Sequence, residues 1–311
     1  MTRLVVLQSD GLWVLGSGRV RRIADGFAVA FRIDRRHQWC AVVRRMDGLD
    51  ELSVVELEGD AEELLASETL QFGRPTFGPD SRITVAANDS IGNGQVLSFG
   101  PRHIRQLEIV VGEPCSYAEP DWSADGRWLA VEGQPTQRLR GMTVFLRHES
   151  WASARVVAPQ EEPEPKAACP RFAPSRPTLA YARTDSGVTE SSIHLLDAPS
   201  GTTAAVAATG LDDPRWSHDG VAILAASHSS VCASGLVVID PSSLRSRPIW
   251  SESSMRASPC GMNERDAFAI VRRCGSSEEQ PTAPGELWQF STTGGAAARL
   301  AEGAYLAEVL D

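Results

Sequence analysis

Charged and sulfur-containing side chains recur beside regularly spaced prolines, and they are the residues of this sequence best suited to chemistry. Arginines at these places could clamp an anionic group, and a neighbouring carboxylate could act as a general acid or base. The candidate ligand-binding residues are Arg74, Tyr117, Glu119, Asp121, Arg171, Asp213, Arg215, Cys260 and Tyr305. The alternative is that the opposite charges pair only with one another and plug the space between them. The sequence assigns no catalytic residue.

The thiols of Cys169 and Cys260 are candidate nucleophiles, because a thiolate forms readily where a base or a positive field lies close to it. Arg171 and Arg215 could supply that field. Packing of a small buried side chain is the other explanation for a cysteine here. The six cysteines of the chain form no Cys-x-x-Cys pair, so we expect free thiols rather than disulfide bonds.

Recognisable catalytic and metal-binding motifs are missing from the sequence. It contains no Gly-x-Ser-x-Gly, no phosphate-binding loop and no His-Glu-x-x-His. The six histidines are scattered along the chain, whereas zinc needs three or four converging ligands. We therefore expect neither a metal nor a cofactor. Only His228 is predicted to lie at the end of the fold that carries the candidate residues.

An internal repeat positions these residues. Five segments carry a proline, a spacer and an aromatic residue (glycine in the last), and an alternating apolar run follows each: Pro75-Thr76-Phe77, Pro120-Asp121-Trp122, Pro170-Arg171-Phe172, Pro214-Arg215-Trp216 and Pro259-Cys260-Gly261. With a degenerate copy upstream, the turn that follows falls at positions 36, 80, 125, 175, 219 and 264, at intervals of 44, 45, 50, 44 and 45 residues. This period is typical of a propeller blade of four short strands, of which we call the first two strand A and strand B.

The repeat predicts an all-β chain, a single β-propeller domain over residues 1–311. Six full blades are expected at approximately 25–69, 70–112, 113–160, 161–209, 210–254 and 255–302. Residues 1–24 supply three further strands and residues 303–311 one, which together make a seventh, composite blade. This closure would remove exposed sheet edges. A six-bladed ring with frayed ends is the alternative. In either ring, ligands are expected at the mouth of the central channel, beside the strand-A prolines.

The repeat resembles that of the PD40 family, the TolB-like and WD40-like propellers. The shared core is Pro-x-Trp-Ser-x-Asp-Gly, followed by an apolar run, and it is clearest at Pro120–Ala130 and Pro214–Leu224. The resemblance covers nearly the whole chain and implies a propeller fold, but this is a fold motif that carries no chemistry. The family includes periplasmic translocation proteins and the propeller domains of prolyl-oligopeptidase-like hydrolases.

Composition narrows the range of partners. The formal charge of −10 argues against a nucleic-acid footprint, which would be basic. No segment is apolar for long enough to span a membrane, and the N-terminal apolar run covers only Leu4 to Leu7. We therefore expect a cytoplasmic monomer. Two functions stay open: a propeller that binds a protein, peptide or small polar ligand, or a stand-alone lyase, cyclase or hydrolase that uses the Arg/Asp/Glu cluster.

Overall fold

The computed structural model describes residues 2–16, 19–26, 28–34, 36, 38–78, 81–100, 105–107, 115–135, 142–157, 166–185, 188–230, 233–273, 283–295 and 297–310. The chain divides into two compact units. The first unit comprises Met1–Gly26, Ala180–Ala182 and Glu190–Asp311, and the second comprises Phe27–Leu179 and Arg183–Thr189.

The two ends of the chain share one sheet in the first unit. This sheet has the strand order β29-β1-β2-β3, where the strands are β1 (Leu4–Gln8), β2 (Gly11–Gly16), β3 (Arg19–Asp25) and β29 (Leu306–Val309). Leu4 pairs with Val309 and Leu7 with Leu306, antiparallel. β1 is therefore an inner strand that the C-terminal strand covers. The predicted composite blade, three strands from one end and one from the other, is confirmed.

The other strands of the described residues form six further sheets. The second and third use β4 (Ala28–Ile33), β5 (Trp39–Met46), β6 (Leu49–Glu56) and β7 (Glu62–Glu68), then β8 (Gln71–Phe72), β9 (Thr76–Phe77), β10 (Ile83–Asn88), β11 (Gly94–Phe99) and β12 (Arg105–Leu107). The fourth and fifth use β13 (Cys115–Trp122), β14 (Trp128–Pro135), β15 (Thr143–His148) and β16 (Arg155–Val156), then β17 (Lys166–Phe172), β18 (Thr178–Thr184), β19 (Ser192–Asp197) and β20 (Thr202–Thr209). The sixth and seventh use β21 (Leu211–Trp216), β22 (Ile223–Ser230), β23 (Ala233–Asp240) and β24 (Arg245–Glu252), then β25 (Met255–Met262), β26 (Asp266–Arg273), β27 (Gly285–Ser291) and β28 (Ala297–Ala304).

Each of these sheets is a propeller blade whose strands are neighbours in chain order. In the third sheet β8 and β9 both pair with β10, so they are the two halves of one interrupted strand A. The described residues thus form seven four-stranded blades without a helix, and the predicted all-β fold with seven blades, rather than six, is confirmed. No helix long and apolar enough to cross a membrane occurs among them.

The repeat motif builds the turn between strands A and B. In the fourth blade Ser123 Oγ donates to Asp125 Oδ1 at 2.6 Å and accepts the backbone N–H of Trp128 at 3.0 Å. Gly126 follows with a φ of +71°, which glycine adopts without steric cost. Ser217 and Asp219 repeat the side-chain bond at 2.6 Å in the sixth blade. The motif's aspartates therefore hold turns; the corresponding Asp80 lies outside the described residues.

The aromatic residue of the motif packs between adjacent blades of the second unit. Trp122 is buried in one apolar cluster with Ala86 and Val96 of the third blade and Leu129 of its own. Its indole Nε1 donates to Thr84 Oγ1 at 2.9 Å, so the polar end of the ring is satisfied as well. This packing explains the spacing of the aromatic residues without a binding role.

Candidate functional site

One position of strand A holds three of the nine predicted site residues. The position lies two residues before the first residue of the turn, which is Ser123 in the fourth blade. The backbone N–H of Ser123 donates to the carbonyl of Trp128 in strand B at 2.9 Å, and the corresponding hydrogen bond occurs in the other blades. Aligned by this bond, the position is occupied by Arg32, Thr76, Asp121, Arg171, Arg215, Gly261 and Glu308. The sequence prediction included Asp121, Arg171 and Arg215 but missed Arg32 and Glu308.

Asp121 contacts several strands of the second unit. Its side chain is 7% exposed and lies 3.5 Å from the Arg32 guanidinium. Oδ2 accepts the backbone N–H of Phe172 at 2.7 Å, and Oδ1 accepts the hydroxyl of Thr76 at 3.3 Å. A single carboxylate thereby links strands of four blades. Its acceptor capacity is used by the protein, which makes Asp121 a structural group.

A bulge before the strand-A proline directs two of the predicted carboxylates. Glu119 and Asp213 have φ values of +48° and +46°, and the pairing register shifts at these places in both blades. Left-handed backbone at a non-glycine residue costs about 1–3 kcal/mol. The bulge turns each carboxylate toward an arginine: Glu119 pairs with Arg171 of the next blade, and Asp213 pairs with Arg215 of its own at 2.9 Å.

Two more predicted residues of the second unit lie in structural surroundings. Tyr117 is buried in the apolar cluster that contains Trp122, and its backbone exchanges two 2.8 Å hydrogen bonds with the Asn88 side chain. Arg74 is half-buried between β8 and β9. Tyr117 therefore packs in the core, whereas the Arg74 side chain is partly exposed.

The first unit holds a different set of charged residues, which we call the first-unit charged group: Asp212, His228, Arg256 and Arg272. Burial raises the pKa of the Asp212 carboxyl, although the Asp213 amide donates to it at 2.7 Å. Burial also lowers the pKa of His228, although the negative charge of Asp212 acts in the opposite direction. Both shifts favour the neutral forms, as expected where side chains are partly removed from water.

Cys260 and Tyr305, the last two predicted residues, lie beside this group. Both are half-buried. Arg272 donates to the backbone oxygen of Tyr305 at 3.2 Å, and a negative charge on Cys260 would raise the pKa of Arg272. The thiol of Cys260 contacts the Ser258 carbonyl at 3.6 Å. The positive field near Cys260 is therefore that of Arg272, whereas the sequence pointed to Arg171 and Arg215.

The described residues contain no disulfide bond and no metal-ligand cluster. Cys40, Cys115, Cys169 and Cys260 are not in disulfide bonds, while Cys232 and Cys274 lie outside the described ranges. Within those ranges, no three histidine, cysteine or acidic side chains come together in a way that could hold a metal ion.

Comparison with solved structures identifies the fold. TolB from Acinetobacter baumannii superposes with a TM-score of 0.59 at 13% sequence identity, over 81% of this chain and 64% of that one. The chain has a TolB-like β-propeller fold. No protein-family model matches the sequence, and no curated protein matches it. Membership of the PD40 family therefore stays a prediction.

Enzymes share this TolB-like fold. A puromycin-hydrolysing peptidase from Mycobacterium tuberculosis has a TM-score of 0.70 at 14% identity, over 94% of this chain and 50% of that one. An oligogalacturonate lyase from Vibrio parahaemolyticus has a TM-score of 0.62 at 11% identity, over 78% of this chain and 72% of that one. The chain thus spans about two thirds of that TolB and half of the peptidase. Identities this low show the fold alone.

Proposed function

We propose that this chain is a binding propeller that recognises a small polar ligand, or a polar side chain of a peptide, through the first-unit charged group. One observation carries the proposal: Asp212, Arg256 and Arg272 are not engaged in ion pairs with any described residue, although Asp212 is half-buried and Arg272 is buried. Charged groups that are removed from water without a counter-charge reduce the stability of a fold. A ligand that supplies the missing partners would recover that loss.

Ion pairing makes the carboxylates of the predicted Arg/Asp/Glu cluster poor candidates for catalysis. Glu119, Asp121 and Asp213 each face an arginine within the protein. A general acid or base needs a carboxylate that can approach the substrate and exchange a proton near neutral pH. Carboxylates held in ion pairs with arginine serve poorly in that role. We therefore place recognition at the first-unit charged group and give the cluster a structural role.

A second candidate function, an enzyme, draws support from Asp212 and His228. Burial moves the pKa values of this carboxyl and this imidazole toward each other, and such convergence is a known feature of acid–base sites. The fold does not decide between the two functions, since a peptidase and a lyase share it with TolB. Turnover of the bound molecule separates the two.

Affinity capture followed by mass spectrometry tests the proposed function. The immobilised full chain is incubated with a metabolite extract and with a random peptide pool, and retained molecules are compared with those retained by the Asp212→Ala and His228→Ala variants. The matched control is Arg247→Ala, which alters an exposed residue of β24 in the same unit. We expect a retained molecule that both site variants lose and the control keeps. Equal retention by all four proteins would refute the proposal, and conversion of the captured molecule over time would favour the enzyme.

A further inference from the structure

Two arginines face each other across the pair formed by β25 and β26. Arg256 is the direct antiparallel partner of Arg272. Residues in this relation project from the same face of a sheet, with Cβ atoms about 4.5–5.5 Å apart. Like charges directly opposite one another are unfavourable, and Arg256 lowers the pKa of the Arg272 guanidinium, adding to the larger effect of burial. This arrangement needs a reason.

Arg272 is 5% exposed, and the hydrogen bonds that it donates within the protein do not compensate its charge. Nε donates to the Ala283 carbonyl at 2.8 Å, one terminal nitrogen to Ser258 Oγ at 3.1 Å, and the other to the Tyr305 carbonyl at 3.2 Å. All three acceptors are neutral oxygens. Within the described part of the chain, no carboxylate forms an ion pair with Arg272 or Arg256.

The three hydrogen bonds of Arg272 do not use all of its donors. A guanidinium has five N–H donors, and the three hydrogen bonds use one on each nitrogen. The two terminal nitrogens therefore keep one N–H each, and a planar pair of donors is suited to a two-oxygen anion. Ser258 holds the side chain in place, which reduces the entropy that binding would otherwise cost.

The neighbouring acidic groups do not neutralise this pair. Asp212 is the carboxyl on which Arg256 acts, and its single negative charge does not offset two guanidinium groups. Burial lowers the pKa of His228, which adds no negative charge. Cys260 is the remaining titratable neighbour of Arg272. The face formed by Arg256, Ser258 and Arg272 thus carries net positive charge in a protein whose formal charge is −10.

We propose that Arg256 and Arg272 form an oxyanion site, in which a carboxylate or phosphate group of a small ligand lies between the two guanidinium groups. Arg272 is the buried, pre-positioned member, and Arg256 is the exposed member at the entrance. The inference rests on the proposed binding function and names the chemical class of the ligand. A carboxylate and a phosphate share the paired oxygens that such a site recognises.

Calorimetric titration of the full chain tests the site, with inorganic phosphate and succinate in separate arms at constant ionic strength. We expect at least one anion to bind, and Arg256→Ala to weaken it about tenfold or more, because one charge-assisted contact is lost. Arg256→Lys should recover only part of that loss, since lysine keeps the charge but not the planar donor pair. Arg247→Ala is the control, and its affinity should match that of the unmodified chain.

Two results would overturn the site. The first is that neither anion binds the unmodified chain, and the second is that Arg256→Ala binds as tightly as Arg247→Ala. Because Arg256 is exposed, its loss should leave the fold intact, which thermal unfolding checks. If a molecule captured from the extract is retained by Arg256→Ala, the oxyanion site fails while the binding function stands. If no molecule is captured from the extract or the peptide pool but the anions bind through Arg256, the proposed binding function fails and the oxyanion site stands.

Discussion

The carboxylate of Asp121 accepts the backbone N–H of Phe172 at 2.7 Å, joining the first strands of two neighbouring blades. The same side chain faces Arg32 and accepts a hydrogen bond from Thr76. Another carboxylate links the second and third blades, where Asp50 of β6 accepts the Phe72 amide at 2.7 Å. Asp121, which the sequence assigned to a ligand, thus ties successive blades together.

Replacement of Asp121 by alanine is the direct test of this structural role. The change leaves the Phe172 amide without its acceptor in a buried place and removes the carboxylate that faces Arg32, so we expect a loss of about 1–3 kcal/mol in the free energy of unfolding. Urea denaturation measures it. The control is Asp60→Ala, which removes an exposed carboxylate from the same unit and should change stability little. Equal stabilities of the two variants would argue that Asp121 is free for function.

Removal of residues 306–311 should expose the edge of β1. The deleted strand pairs with Leu4 to Leu7, and an unpaired inner strand is a template for association between molecules. We expect the β1 amides to lose protection in hydrogen exchange and the protein to elute as larger species in gel filtration. Val309→Ala keeps the backbone of β29 and serves as the control. Retained protection in the truncated chain would contradict the composite blade's role.

Gly261 should tolerate no side chain. Its φ is +156°, and a Cβ there would lie 2.9 Å from Val309 Cγ2 in the composite blade. We expect Gly261→Ala to lower the free energy of unfolding by about 1–3 kcal/mol through overpacking. The double variant with Val309→Ala should recover part of that loss, because the opposing methyl groups are gone. Additive effects of the two changes in a double-mutant cycle would show that these residues do not interact.

Asp212 and His228 should make stability depend on pH in opposite directions. An acid with a raised folded-state pKa binds its proton more tightly when folded, so its ionisation removes stability as the pH rises above about 4. A histidine with a lowered pKa resists protonation when folded, so stability is lost as the pH falls below about 6.5.

Thermal unfolding of two variants across pH 4 to 8 checks both signs. Asp212→Asn keeps an acceptor for the Asp213 amide, and we expect its stability relative to the unmodified chain to rise with pH above 4. His228→Gln should gain relative stability as the pH falls below about 6.5. A constant difference between variant and unmodified chain over this range would mean that the group is not perturbed by burial.

The sequence predicts the blades well because each one repeats the same local chemistry. The Ser-x-Asp-Gly turn forms from residues at most five apart, as the bonds among Ser123, Asp125 and Trp128 show. The residues left over at the two chain ends then define the seventh blade. The same spacing could have identified Arg32, because Arg32 precedes turn position 36 by four residues, as Asp121 precedes position 125.

The charged group of the first unit could not be predicted in the same way. Its central pair, Arg256 and Arg272, is set by cross-strand register, and a bulge between Pro259 and Gly261 shifts that register by one residue. Asp212 differs from the predicted Asp213 by one position, yet only Asp213 pairs with Arg215. Such differences depend on backbone geometry at the bulge, which residue spacing does not reveal.

Hydrogen exchange with and without the captured molecule tests the central claim most directly, because it reports where a ligand lies. We predict slower exchange in the segments that carry the first-unit charged group, 211–216, 223–230, 255–262 and 266–273, and unchanged exchange in 115–122 of the second unit. Protection confined to 115–122 and 166–172, around Asp121 and Arg171, would contradict the account and return the binding site to the residues that the sequence first indicated.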